Sequence, residues 1–108
     1  MKCHIGIYRD TYQSPDQWDG LIYLHDRRSA RELLDTLTPF LHQFHTSEGM
    51  EDTETLSAWL AWHLIDSAAT RSESFFEIAM CKEIRSDIDF FFKIVVSCPV
   101  VQCKRKLI

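Results

Sequence analysis

From Phe75 onward the apolar residues of this chain recur at every second position, whereas between Ala30 and Phe44 they recur at every third and fourth. A backbone that throws alternate side chains to opposite faces is a strand, and one that repeats near 3.6 residues is a helix. The chain must therefore build a sheet and helices together, and those helices must lay an apolar stripe on the sheet.

The helical part has a defined start. Ser29-Ala30-Arg31-Glu32 fits the capping box, in which the Ser hydroxyl and the Glu carboxylate satisfy orphan backbone amides at a helix N-terminus. Ala30, Leu33, Leu34, Leu37, Phe40, Leu41 and Phe44 then form one stripe. Pro39 lies inside it and predicts either a kink or a fresh segment capped by Thr38. Residues 46–52 with Gly49 break the pattern, and Glu51, Asp52 and Glu54 suit the positive end of a second helix running from about residue 53 to Ala69. Its stripe is Leu56, Trp59, Leu60, His63 and Leu64, while Trp62, Ala58 and Ile65 project elsewhere, which predicts a helix buried on more than one side.

Strand patterns flank this helical block. Residues 2–8 alternate, with Cys3, Ile5 and Ile7 on one face and His4, Gly6 and Tyr8 on the other; turn signals fill residues 9–20, and Leu21 to His25 forms a second short strand. Phe76, Ile78, Met80 and Ile84 share a face, and so do Ile88, Phe90, Phe92, Ile94 and Val96, which predicts a hairpin turning at Arg85-Ser86-Asp87. After Pro99, Val101, Cys103 and Leu107 alternate with Gln102, Lys104 and Lys106, as in an edge strand blunted by charge. The expected fold is a single α+β domain over residues 1–108, an antiparallel sheet of about five strands in the order ββααβββ with two helices packed on one face.

With 45% hydrophobic and 12% aromatic residues among 108, one core can form. A formal charge of -4 opposes broad binding to nucleic acid or acidic membrane, and Ala58 to Ile65 and Phe90 to Val96 fall short of the roughly 20 apolar residues that cross a bilayer. The first ten residues hold no apolar run of the kind a signal peptide needs, so the expected location is cytoplasmic. Cys3, Cys81, Cys98 and Cys103 are accordingly expected as free thiols in a reducing compartment, although Cys98 and Cys103 loosely match a zinc spacing.

For function, the face of the sheet opposite the helices matters most. Phe75, Phe91 and Val95 fall there among Glu77, Glu83, Asp89 and Lys93, a mixed surface of the kind that meets a partner, unless the long first loop or a tail folds over it. Trp62 adds an aromatic anchor, and the loop gathers Tyr12 and Trp18 beside Asp16 and Asp19. The expectation is a non-enzymatic protein-binding module, either self-associating or of the inhibitor, immunity or adaptor type, with no cofactor.

The alternative is a small-molecule or anion-binding protein with modest catalysis. Arg27, Arg28 and Arg31 crowd a helix start, where they oppose the dipole and would suit a phosphate or carboxylate, unless Asp26 and Glu32 neutralise them. His42 and His45 stand three apart with Glu48 near, but solvated histidines at a helix end explain them without a metal. Cys3 and His4 point to opposite faces, and His63 with Asp66 and Ser67 lacks an oxyanion-building turn.

Overall fold

The computed structural model describes residues 1–46, 52–70 and 75–105. Its elements are β1 (Lys2–Tyr8), β2 (Gly20–Asp26), α1 (Ala30–Thr46), α2 (Thr53–Thr70), β3 (Phe76–Met80), β4 (Phe90–Val95) and β5 (Cys98–Arg105), which form one α+β domain. The expected element order holds. The five strands lie in the order β3-β2-β1-β4-β5, and the sheet is mixed rather than antiparallel. The pair β1–β4 is parallel, with Cys3 beside Phe90 and Ile5 beside Phe92, while the other three pairs are antiparallel.

That parallel pair overturns the hairpin expected across residues 75–96. Both β3 and β4 run in the direction of β1, so the chain leaving β3 must travel back the length of a strand before β4 begins. Residues 81–89 make this return across the sheet face opposite the helices, as a strap. Cys81 donates its N–H to the Leu21 carbonyl at one end (2.8 Å) and Asp89 donates to the Lys2 carbonyl at the other (2.8 Å). Nine extended residues reach up to ~30 Å, ample for a strand of this length. The even spacing of Ile84 and Ile88 mimics a continued strand, but only Ile88 is buried.

The helices occupy the other face, α1 over β5 and α2 over β2, β1 and β3. Cys3, Ile5 and Ile7 of β1 and Phe92 and Ile94 of β4 meet Leu33, Leu37, Leu41 and Phe44 of α1 and Leu56, Leu60 and Leu64 of α2 in one core. The capping box forms as expected, with Glu32 N–H donating to Ser29 Oγ (3.2 Å) and Ser29 N–H donating to Glu32 Oε1 (3.4 Å). Pro39 starts no fresh segment: it sits on the exposed side of one continuous α1, where the carbonyl it leaves unpaired can turn to water. Asp52 caps α2 by accepting from Glu54 N–H (3.0 Å) and Thr55 Oγ1 (2.9 Å).

At Gly20 a Cβ would come within 2.8 Å of Ser57 Oγ, so the bare backbone lets α2 approach β2 closely. Pro99 lies where β5 slips register against β4, at a bulge that tolerates a residue without an N–H.

Candidate functional site

The sheet face expected to meet a partner is covered in its centre by the chain itself. His4 and Tyr23 face each other across β1 and β2, both fully buried, and the strap lies on them. Arg85 donates its N–H to His4 Nε2 (2.9 Å), and its guanidinium stacks 4.0 Å from the Tyr23 ring centre. Tyr8 donates to the Pro15 carbonyl, which pins the first loop on the same face. Gln13 orders that loop by accepting from the N–H groups of Arg9 and Asp10 and donating to the Gln17 carbonyl and Asp19.

The residues named for this surface therefore scatter. Val95 is buried at 7% exposure. Phe91 is half-buried, its ring lying over Gly6 so closely that a Cβ there would meet Phe91 Cζ at 2.6 Å. Phe75 is exposed on this face as expected, but just before the start of the edge strand β3, where it packs edge-on to His25 with ring centres 4.5 Å apart. Tyr12 is solvent-exposed, and Trp18 is half-buried. Beside the exposed β3 edge, this side also holds a cleft of about 300 Å³ lined by Pro15, Ile84, Ile88, Phe91 and Lys104.

Two of the three clustered arginines are paired within the chain. Arg28 is only 3% exposed and donates through Nε to Asp26 Oδ2 (2.8 Å), while Asp26 Oδ1 accepts the Arg28 N–H (2.9 Å). Arg31 pairs with Asp35 (3.5 Å), Arg27 is exposed, and Ser29 and Glu32 occupy the helix-start amides. The α1 start thus carries its own anions. His42 is exposed and His45 half-buried, while Glu48 lies outside the described residues. Among the described residues, no group of three His, Cys, Asp or Glu side chains is placed to hold a metal ion, and the four cysteines form no disulfide. Burial pushes the Cys3 thiol up to about 12, so it stays protonated and inert as a nucleophile at neutral pH.

A different surface stands out. The side of α2 turned toward the core carries Leu56, Ser57, Leu60, Leu64 and Ala68, a narrower stripe than the sequence pattern predicted. Trp62 is 69% exposed, Ile65 49% and Trp59 43%, because among the described residues a single layer of two helices leaves the outer side of α2 uncovered. A groove of about 480 Å³ between α1 and α2 is lined by Phe40, Gln43, Trp59, Trp62 and His63. Its walls are aromatic: His63 packs against Phe40 with ring centres 5.1 Å apart, and Trp59 meets Phe44 edge-on at 5.8 Å. On the other flank, Ala58 and Ala61 border exposed Met80 in a shallower depression of about 380 Å³ that Asp19 and Glu54 also line.

Among the described residues, the two helices carry charge of one sign on this surface. α2 carries Glu54 and Asp66 and no Lys or Arg, and α1 has no Lys or Arg after Arg31. Among the described residues no helix is long and apolar enough to cross a membrane. Of the surface residues picked from sequence, Trp62 alone belongs here. Trp59 and Ile65 were missed as surface groups, since nothing in their spacing separates an unsheltered helix side from a buried one. Comparison with protein-family models, curated proteins and solved structures finds no match to this chain.

Proposed function

We propose that this chain is a non-enzymatic, cytoplasmic protein-binding module that docks, through the outer face of α2, on a partner protein presenting apolar side chains among basic ones. The observation carrying the reading is the cluster of Trp59, Trp62 and Ile65, each more than two-fifths exposed on one helix that bears no cation. A contiguous apolar patch marks an interaction surface, and a tryptophan at the centre of an interface commonly contributes ~2 kcal/mol or more. Charge selects the partner. The chain bears -4, and the carboxylates flanking the patch attract a basic segment, whereas the same α2 face of a second copy would bring the same carboxylates and no Lys or Arg.

The test is titration with an amphipathic helical peptide, leucine along one face and lysine and arginine on its flanks, alongside a version with glutamate in place of every basic residue. The basic peptide is expected to saturate, to weaken with salt, and to bind at least ~10-fold less well to Trp62→Ala. Equal binding of the acidic peptide, or an affinity indifferent to Trp62→Ala, would refute the reading. A concentration-dependent dimer by light scattering that Trp62→Glu abolishes would assign the face to a second copy instead.

A further inference from the structure

Resting on that docking reading, we infer that the groove between α1 and α2 is a slot for the cationic head of one partner side chain, an ammonium or guanidinium held against the rings of Phe40, Trp59 and Trp62. Three aromatic side chains and the His63 imidazole line one cavity, with Gln43 as its amide donor and acceptor. Rings present a negative face, and a cation within about 6 Å of a ring centre is drawn to it, most strongly by tryptophan. The slot also has the size of a ligand site, since pockets that enclose small molecules run ~300–1,000 Å³.

A plain apolar anchor such as leucine is the competing occupant, and two features favour the cation. Among the described residues the slot is built from rings: Phe40, Trp59, Trp62 and His63 line it with Gln43, and no aliphatic residue does. Its charged surroundings are acidic, with Asp66 one turn beyond Trp62 on exposed α2, while the nearest arginine along α1, Arg31, is paired with Asp35 more than two turns before Phe40. A cation entering this groove meets π-density at close range and carboxylates at longer range, and displaces no resident positive charge. Phe40 and His63 are the less exposed rings, so they form the inner wall, and Trp59 and Trp62 form the open rim.

The experiment compares N-butylguanidinium with N-butylurea, which has nearly the same shape and no charge, using a Trp18→Phe protein in which only Trp59 and Trp62 report by fluorescence. The guanidinium is expected to bind saturably in the millimolar range, at least ~5-fold more tightly than the urea, and Trp62→Leu is expected to erase that difference while apolar bulk is kept. Trp62 is exposed, so its replacement leaves the core intact. Equal affinity for the two compounds, or no binding of either, would overturn the slot. If the basic peptide still binds through Trp62 in that case, the docking face survives and only the cation slot falls. Should butylguanidinium bind while the peptide does not, docking fails and the partner side chain is overturned as the source of the cation.

Discussion

Removal of the His4 side chain tests whether the strap is a structural part of the sheet. His4 is fully buried; its Nε2 accepts from the Arg85 N–H at 2.9 Å, and its Nδ1 lies 3.2 Å from the Ile22 carbonyl, which fixes the neutral ring with its proton on Nδ1. His4→Ala deletes both bonds and leaves a ring-sized void. Each lost bond costs ~1 kcal/mol net, at the low end because Arg85 is exposed enough to regain water, and the void adds ~1–2 kcal/mol. The sum, ~3 kcal/mol, is a large share of a stability of ~5–15 kcal/mol and corresponds to a Tm lower by ~10–20 °C. Urea melts give the magnitude, and amide hydrogen exchange gives the place. Arg85 should lose protection beyond the global loss, and His4→Asn, whose amide nitrogen stands where Nδ1 does, should keep the Ile22 contact while still freeing Arg85. A loss below ~1 kcal/mol with Arg85 exchange unchanged would refute the strap as described.

Two further predictions concern buried charge. Asp26→Ala leaves the Arg28 guanidinium buried without its partner and should cost ~3–5 kcal/mol in denaturant melts, whereas changing Asp26 and Arg28 together to apolar residues should cost less than Asp26→Ala alone. The Cys3 thiol, pushed by burial from an ordinary 9.0 to about 12, is raised in the folded state, so the stability it protects is whole below pH 9 and is lost as pH rises toward 12. The difference in unfolding free energy between the parent and Cys3→Val, followed by urea melts, should therefore shift in favour of the variant by ~1.4 kcal/mol per pH unit across that window.

The two levels of the sequence were legible to different depths. β1, the capping box at Ser29 and the face assignments of Cys3, Ile5, Ile7, Phe90, Phe92 and Ile94 follow from period and local chemistry, and all appear. Alternation specifies which face a strand buries and says nothing about its neighbour, which is why β4 could be paired with β3 on paper and with β1 in the fold. The Val96-Ser97 turn between β4 and β5 lacks the Gly, Asn or Asp that marks a tight turn, so the real hairpin went unsignalled. On α2, small residues set the packed stripe: Ser57 and Ala68 sit inward where space is tight, rotating Trp59 outward, and hydrophobicity alone ranks those residues the other way.

The strap and the helix layer together decide where binding is left to occur. Residues 81–89 and the first loop shelter the centre of one sheet face and the helices shelter the other, so the buried core forms without Trp62 or Ile65, while Trp59 touches it only through Phe44. A side chain mostly in water recovers little of the ~25 cal/mol per Å² that burial yields, and a lysine or glutamate at position 62 would serve the helix at least as well by propensity. The docking proposed above would give a tryptophan there its reason. The same holds for sign: lysines on α2 would pair with Glu54 and Asp66 and settle the surface, and under the proposed docking their absence leaves the carboxylates for a cation that the partner brings.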